Sequence, residues 1–558
     1  MNDVVEKARA WVAADPDARD RAELTGLIGV AASGEPSAAA ELADRLAGPL
    51  TFGTAGLRGA IGAGSNRMNT AVVTTATAGL CQVLREDLGD GFHLVIGYDA
   101  RHRSDEFART VAAVAVAAGG RASLMPGPLP TPLLAYALNA LDADAGVMVT
   151  ASHNPPADNG YKVYLGARMA EPGGAGAQIV PPMDARIFAA IGAAGPANQV
   201  PVATSGWELI PEQVVDDYVA TTAALAADAA PLKIVLTAMH GVGAVTAIRT
   251  LAAAGFGDVT PVAEQIDPDP DFPTVAFPNP EEPGALDLAI ATATEVGADL
   301  IVALDPDADR CSVAIPAGEG WRQLSGDELG ALLGEQAAAA HHGDPSATLA
   351  RSIVSSSLLG RIAAGHGVRG AETLTGFKWI SRAPGLVFGF EEAIGYCVNP
   401  AVVRDKDGIS AAVKTCELAA GLKAAGRTLD DQLADLAVRH GLHATSPLTF
   451  RVADLALIGE ALARLRQNPP ATLAGSPVSS YVDLADGYQG LPPTDGVRIA
   501  TEAGDRVIVR PSGTEPKLKC YLEVVSPVAA VDQLPQARER AAERLELIKA
   551  ELRSVLGL

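Results

Sequence analysis

The chain has 558 residues, 48% of them hydrophobic and 20% charged, and a formal net charge of −23. Its length allows three or four domains of about 150 residues, and its composition supports buried cores rather than a largely disordered chain. The acidic balance argues against binding nucleic acid or an anionic membrane, so an anionic ligand would need positive groups gathered locally.

In chain order, the N-terminus MNDVVEKARAWVAADPDARD is charged and amphipathic without an apolar signal core, and residues 1–50 read as a helical lead-in. TFGTAGLRGAIG (Thr51–Gly62) joins repeated glycines to Arg58, which suits close backbone approach to an anion. HLVIGYD (His93–Asp99) predicts a buried strand, followed by an alanine-rich helix ending at Gly119-Gly120. The longest apolar run, around Val111–Ala118, is far short of the ~20 residues that span a bilayer. An apolar strand, Ala145–Val149, runs into Thr150-Ala151-Ser152-His153-Asn154-Pro155-Pro156. Ligands bind at strand ends in α/β sheets. A serine on such a turn beside a histidine is therefore a candidate nucleophile, although the same residues also suit a plain turn. Lys162 is a candidate proton-transfer group.

LKIVLTA (Leu232–Ala238) predicts a second strand, with a helix around Val245–Ala254 stopping at Gly255. ADLIVALDPDADRCSVAI (Ala298–Ile315) sets Asp305, Asp307 and Asp309 at alternate positions directly after a buried strand. Carboxylates so spaced can hold a hard cation. The spacing is not that of a calcium loop, because Arg310 and Pro316 fall where Gly and Glu are required. Arg310 can balance the loop or bind a phosphate oxygen.

RSIVSSS (Arg351–Ser357) predicts a third strand, with a helix near Leu358–Ala364 ending at Gly365. Thr375, Gly376 and Lys378 of ETLTGFKWI, and Glu391 of LVFGFEEAIGYCVNP, are candidate sugar or phosphate contacts. Thr449–Ile458 and Arg506–Val525 read as containing strands and Gln533–Leu558 as helical, a separate α+β domain. Within it Arg510, Ser512, Gly513 and Thr514, with Lys517, form the chemistry of a phosphate cradle. Repeated strand–loop–helix–Gly units suggest three similar α/β domains before it. Joints are expected near Asp228–Pro231, Gly318–Gly326 and Gly441–Pro447, giving a lead-in (1–50) and domains at 51–228, 229–322, 323–444 and 445–558. Five dispersed cysteines fit reduced thiols and a cytoplasmic location.

TASHNP, DPDADR, GFEEAIGY and RPSGTEPK, in that order, resemble the phosphoserine, metal, sugar-recognition and phosphate-binding loops of the α-D-phosphohexomutase superfamily. The resemblance covers nearly the whole chain. It implies three α/β domains with mixed sheets and a smaller C-terminal α+β domain around a central cleft. It implies that Ser152 carries a transferable phosphate and that Ser152, Asp305, Asp307 and Asp309 hold one Mg²⁺, with a sugar bisphosphate as activator. Lys162, His153, Arg58 and Arg310 would serve catalysis, Lys162 as general base. Arg510, Ser512, Gly513, Thr514 and Lys517 would grip the unreacting phosphate, and Glu391 would read sugar hydroxyls.

The implied activity is interconversion of sugar 1-phosphate and 6-phosphate, glucose or mannose, by a monomer or homodimer. Ala393 stands where many hexose mutases have Ser, and FEEAIGY resembles the phosphoglucomutase-2-like branch, so a phosphopentomutase is the alternative. A non-catalytic sugar-phosphate sensor is a further one. A haloacid-dehalogenase-type phosphatase with Asp305 as nucleophile would expect threonine where Asp309 stands.

Overall fold

The computed structural model describes residues 2–50, 56–227, 229–452, 454, 456–512 and 517–558. The chain divides into two compact units, Met1–Gln323 with Gly395–Ala420, and Leu324–Ile394 with Gly421–Leu558. Among the described residues no helix is long and apolar enough to cross a membrane.

In the first unit, helices Asn2–Ala14, Ala18–Ala32 and Pro36–Arg45 form the lead-in. They close on a small core that includes Leu24, Ile28 and Leu42. The Asp17 side chain caps the second helix by accepting from the Arg19 amide. A six-stranded sheet follows, in the order Leu57–Ala60, Asp158–Leu165, Ala145–Val149, His93–Tyr98, Arg121–Leu124, Glu208–Leu209. The first two pairings are antiparallel and the rest parallel. Its central strands are buried along their whole length, as their unbroken apolar runs require. The second sheet repeats the plan: Gly320–Gln323, Cys311–Ala317, Leu300–Leu304, Ile234–Thr237, Val259–Pro261, antiparallel at the first two pairings and parallel at the rest. In both sheets a buried parallel strand ends, the chain turns, and it returns antiparallel. The Ser152 loop and the Asp305–Asp309 loop are those two turns.

The second unit pairs Thr348–Ser352 in parallel with Arg369–Thr373 and Leu386–Glu391. Helix Gly326–Ala340 starts from a Ser325/Glu328 capping box and helix Leu429–His440 from a Thr428/Asp431 one. A six-stranded antiparallel sheet runs Leu442–Arg451, Lys517–Ser526, Arg506–Pro511, Val497–Thr501, Ser476–Asp483, Thr472–Leu473. Helices Ala456–Gln467 and Leu534–Leu556 pack Leu462, Leu465, Ile548 and Leu552 against its apolar face.

Two sequence expectations shift. The third strand is Thr348–Ser352, and Ile353–Ser357 form a turn, because the serine hydroxyls bond within the turn and to carboxylates instead of extending the ladder. Its helix passes through Gly365 and stops at Gly367, the glycine with left-handed φ of 70°. Residues 442–451 are one continuous strand, which includes Thr449–Arg451 of the segment expected to contain strand, and Ala456–Gln467 is a helix.

Candidate functional site

The first unit brings the serine turn and the aspartate turn together. Strand Ala145–Val149 ends one residue before Thr150, whose Oγ1 accepts the Ser152 amide at 2.9 Å. Ser152 has φ of 51°, a left-handed conformation that costs a non-glycine residue on the order of 1 kcal/mol. The loop is held there by Arg101, which donates to the carbonyls of Ser152 (2.6 Å), Asn154 (2.6 Å), Pro155 (2.8 Å) and Asp158 (3.2 Å). Arg101 is buried, pairs with Asp99 at 3.4 Å, and has its guanidinium carbon 5.0 Å from the centre of the Phe272 ring. Arg58 donates to the Asn154 side chain at 3.0 Å. So clamped, Ser152 Oγ donates to Asp305 Oδ2 at 2.7 Å.

Asp305, Asp307 and Asp309 are fully buried, and one carboxylate oxygen from each lies within 4.8 Å of the others. The loop turns tightly because Ala308 is left-handed (φ 55°) and the Arg310 amide donates to Asp305 Oδ1 at 3.0 Å. Two glycines permit its packing. A Cβ on Gly241 would lie 2.3 Å from Pro306 Cα, and one on Gly408 would lie 2.3 Å from the Arg310 carbonyl oxygen. Thr131 donates its hydroxyl to Asp307 Oδ2 at 2.6 Å and its amide to the Asp307 carbonyl at 2.9 Å. Lys162 donates to Asp307 Oδ2 (2.8 Å) and Asp309 Oδ2 (2.9 Å), and Lys406 approaches Asp309 Oδ2 at 3.2 Å. Lys406 is presented between two anchored carboxylates. Asp405 accepts from Tyr164 Oη (2.7 Å) and Gln178 (2.6 Å), and Asp407 accepts from Tyr218 Oη (2.9 Å).

Charge in this cluster is finely divided. Burial, then the neighbouring Asp307 and Asp309, push the Asp305 carboxyl well above the carboxylate range. Burial acts on Asp309 in the same sense, but Lys162, Lys406 and Arg310 hold it far below that range. Burial depresses Lys162, yet Asp307 and Asp309 outweigh it and keep the ammonium form. Burial, then Arg310 and Arg58, keep the His153 imidazole well below its ordinary value, so it is neutral at pH 7.

The remaining candidates belong to the second unit. Glu391 Oε1 accepts the Gly376 amide at 2.6 Å, so that N–H is spent on orienting Glu391. Thr375 and Lys378 are partly exposed on either side, Lys378 within the short helix Phe377–Ile380. Arg510 lies opposite Lys519 in the antiparallel ladder, and the Ser512 amide donates to the Lys517 carbonyl at 2.8 Å. Gly513 and Thr514 lie outside the described residues. Behind these loops, the Ser352–Ser357 turn bonds in two directions. Ser355 Oγ donates to Glu392 Oε2 at 2.8 Å, while Arg506 donates to the carbonyls of Ile353 (2.9 Å) and Ser355 (2.6 Å). Glu523, 3.0 Å from Arg506, accepts from Ser356 Oγ and the Ser357 amide, each at 2.8 Å.

Four domain families match in succession: phosphoglucomutase/phosphomannomutase alpha/beta/alpha domain I over residues 49–194, domain II over 216–318, domain III over 325–439, and the C-terminal domain over 448–541. A Haemophilus influenzae protein named "Probable phosphomannomutase" is 46% identical over 464 residues, covering 82% of this chain and 93% of its own. This chain belongs to the phosphoglucomutase/phosphomannomutase family. A Mus musculus "Phosphopentomutase" is 36% identical, covering 86% of this chain and 84% of its own. The crystal structure of a putative phosphomannomutase from Thermus thermophilus has a TM-score of 0.67 and 25% identity, covering 89% of this chain and 99% of its own. The protein is accordingly a mutase, an isomerase of the phosphohexomutase type that transfers a phosphoryl group.

Mutases of this family use magnesium, and the triplet suits such a hard cation. All its donors are oxygens, and Asp307 Oδ1 and Asp309 Oδ1 are buried without a hydrogen-bond partner among the described residues. Sequence reasoning missed Arg101, Thr131 and Lys406. The Asp99-x-Arg101 pair directly after a buried strand, and the charged run Arg404–Asp407 before an apolar helix, were the available signals.

Proposed function

We propose that this mutase interconverts glucose or mannose 1-phosphate and 6-phosphate through phosphorylated Ser152 and a sugar bisphosphate. The observation that carries the reading is the 2.7 Å contact between Ser152 Oγ and a carboxylate of the buried aspartate triplet. Asp305, Asp307, Asp309 and an oxygen on Ser152 would hold magnesium, which when bound supplies positive charge to a phosphoryl oxygen. Arg101 fixes the serine loop, and Arg58 and Arg310 offset phosphate charge. The Ser152 O–P bond breaks as a sugar hydroxyl oxygen forms a new one, and Lys162 would take the hydroxyl proton as its neutral amine, the form favoured once Asp307 and Asp309, which hold its ammonium, are committed to a cation. The second half-reaction is the reverse on the opposite phosphate of the bisphosphate, and the phosphoryl group returns to Ser152. Neutral His153 flanks the reacting serine. Arg510, Ser512, Gly513, Thr514 and Lys517 grip the unreacting phosphate. Glu391, steadied by Gly376, reads sugar hydroxyls beside Thr375 and Lys378.

A pentose 1-phosphate/5-phosphate reading is favoured by one residue, Ala393, which removes a hydroxyl from the sugar loop, and by relatives named phosphopentomutase and phosphoribomutase. The deciding experiment compares kcat/KM for glucose, mannose and ribose 1-phosphates. A hexose preference supports the first reading. A ribose preference of tenfold or more, about 1.4 kcal/mol in transition-state binding, replaces it with the second.

A further inference from the structure

Four of the nine histidines, His341, His342, His366 and His440, lie at or just after the C-terminal ends of three helices of the second unit, Gly326–Ala340, Leu358–His366 and Leu429–His440. Two of them meet. His342 Nδ1 and His366 Nδ1 are 3.3 Å apart, with the rings edge to face at 87°. The other nitrogen of His366, Nε2, lies 3.2 Å from Glu335 Oε1, and Arg439 holds the same oxygen at 2.8 Å. A carboxylate on Nε2 fixes the tautomer with the proton there, so the Nδ1 lone pair of His366 is directed at His342.

We propose that His342 and His366 chelate a divalent transition metal, with zinc as the natural candidate, at a site separate from the magnesium triplet. Three features of the geometry converge. Two ligands at about 2.0–2.1 Å from a tetrahedral zinc stand about 3.3–3.4 Å apart, the spacing of the two ring nitrogens. The Glu335–His366 contact is the outer carboxylate that metal-binding histidines commonly carry. The ends of two helices, which favour positive charge, converge on the site. Imidazole donors favour zinc over magnesium, whereas the all-oxygen triplet favours magnesium. Among the described residues only the aspartates bring three donor atoms within 4.8 Å, so the histidine site is a two-ligand chelate. His342 is exposed, which leaves the remaining positions to water.

The test is calorimetric titration of the full-length protein with zinc chloride under excess magnesium, which holds the oxygen site. One zinc per chain should bind to the wild type. His342→Ala and His366→Ala should each weaken that binding at least about tenfold, and Glu335→Gln about tenfold through the lost outer contact. Cobalt in place of zinc should give tetrahedral visible absorption in the wild type and none in His342→Ala. His342→Ala should keep wild-type turnover with magnesium, which shows it folded. Equal zinc affinity in wild type and both histidine variants would mean that the rings only share a hydrogen bond. Displacement of the zinc by magnesium would put the ion on the aspartates. Either result overturns the proposal.

Discussion

At the residue scale, two side chains of the serine turn do different work. Ser152 is strained and buried, and its hydroxyl donates to Asp305. Ser152→Ala removes the transferable oxygen and one hydrogen bond. Turnover should fall to background while circular dichroism and thermal midpoint stay near wild type, and retained turnover would remove the assigned role. Arg101 has the opposite profile, touching no reacting atom while holding four carbonyls of the loop. Arg101→Met leaves Asp99 buried without its cation, which should cost about 3–5 kcal/mol of stability in denaturant titration. Arg101→Lys restores charge but not the fork, so it should recover stability better than kcat.

At the element scale, both reactive turns sit where a buried parallel strand gives way to an antiparallel return. That placement explains why local motifs were legible: TASHNP and DPDADR each follow an apolar run that ends abruptly. Their partners were not legible in the same way. Thr131, Lys406 and the glycines beside the metal loop come from distant segments, and only the sheet topology brings them in. Gly241→Ala tests this packing. Its Cβ would overlap Pro306 backbone, so the aspartate loop must shift. Activity should fall on the order of a hundredfold, with a raised magnesium requirement, in a titration of rate against magnesium. In the second unit, burial, against the Ser356 amide but aided by Glu392, raises the Asp327 carboxyl from 3.8 to about 7. The folded protein keeps this proton to higher pH than the unfolded chain does. The stability that Asp327 contributes is therefore present below its unfolded value and is lost as pH rises through about 7. Asp327→Asn, which keeps an acceptor for the Ser356 amide, should raise the thermal midpoint over wild type at about pH 8. The advantage should shrink as pH falls below about 7 and vanish only below the unfolded value of 3.8, in paired melts.

At the scale of the whole molecule, the serine and metal loops belong to one unit and the sugar and phosphate loops to the other. The sequence order of the four loops predicted their family before any coordinate did. The second unit's polar seam escaped that reading, because Arg506 and Glu523 pair across a strand register that the sequence does not display. Since Lys162 and Lys406 already offset the triplet's charge, removing magnesium with a chelator should abolish turnover without unfolding the protein, as read by assay and melt together. The central claim is that Ser152 carries the group being exchanged. Intact-mass measurement with peptide mapping tests it most directly. The account predicts one phosphoryl group on the peptide containing Ser152, lost when sugar monophosphate is added without bisphosphate. A phosphoryl group mapped to another residue, or one that sugar phosphate leaves untouched, contradicts it.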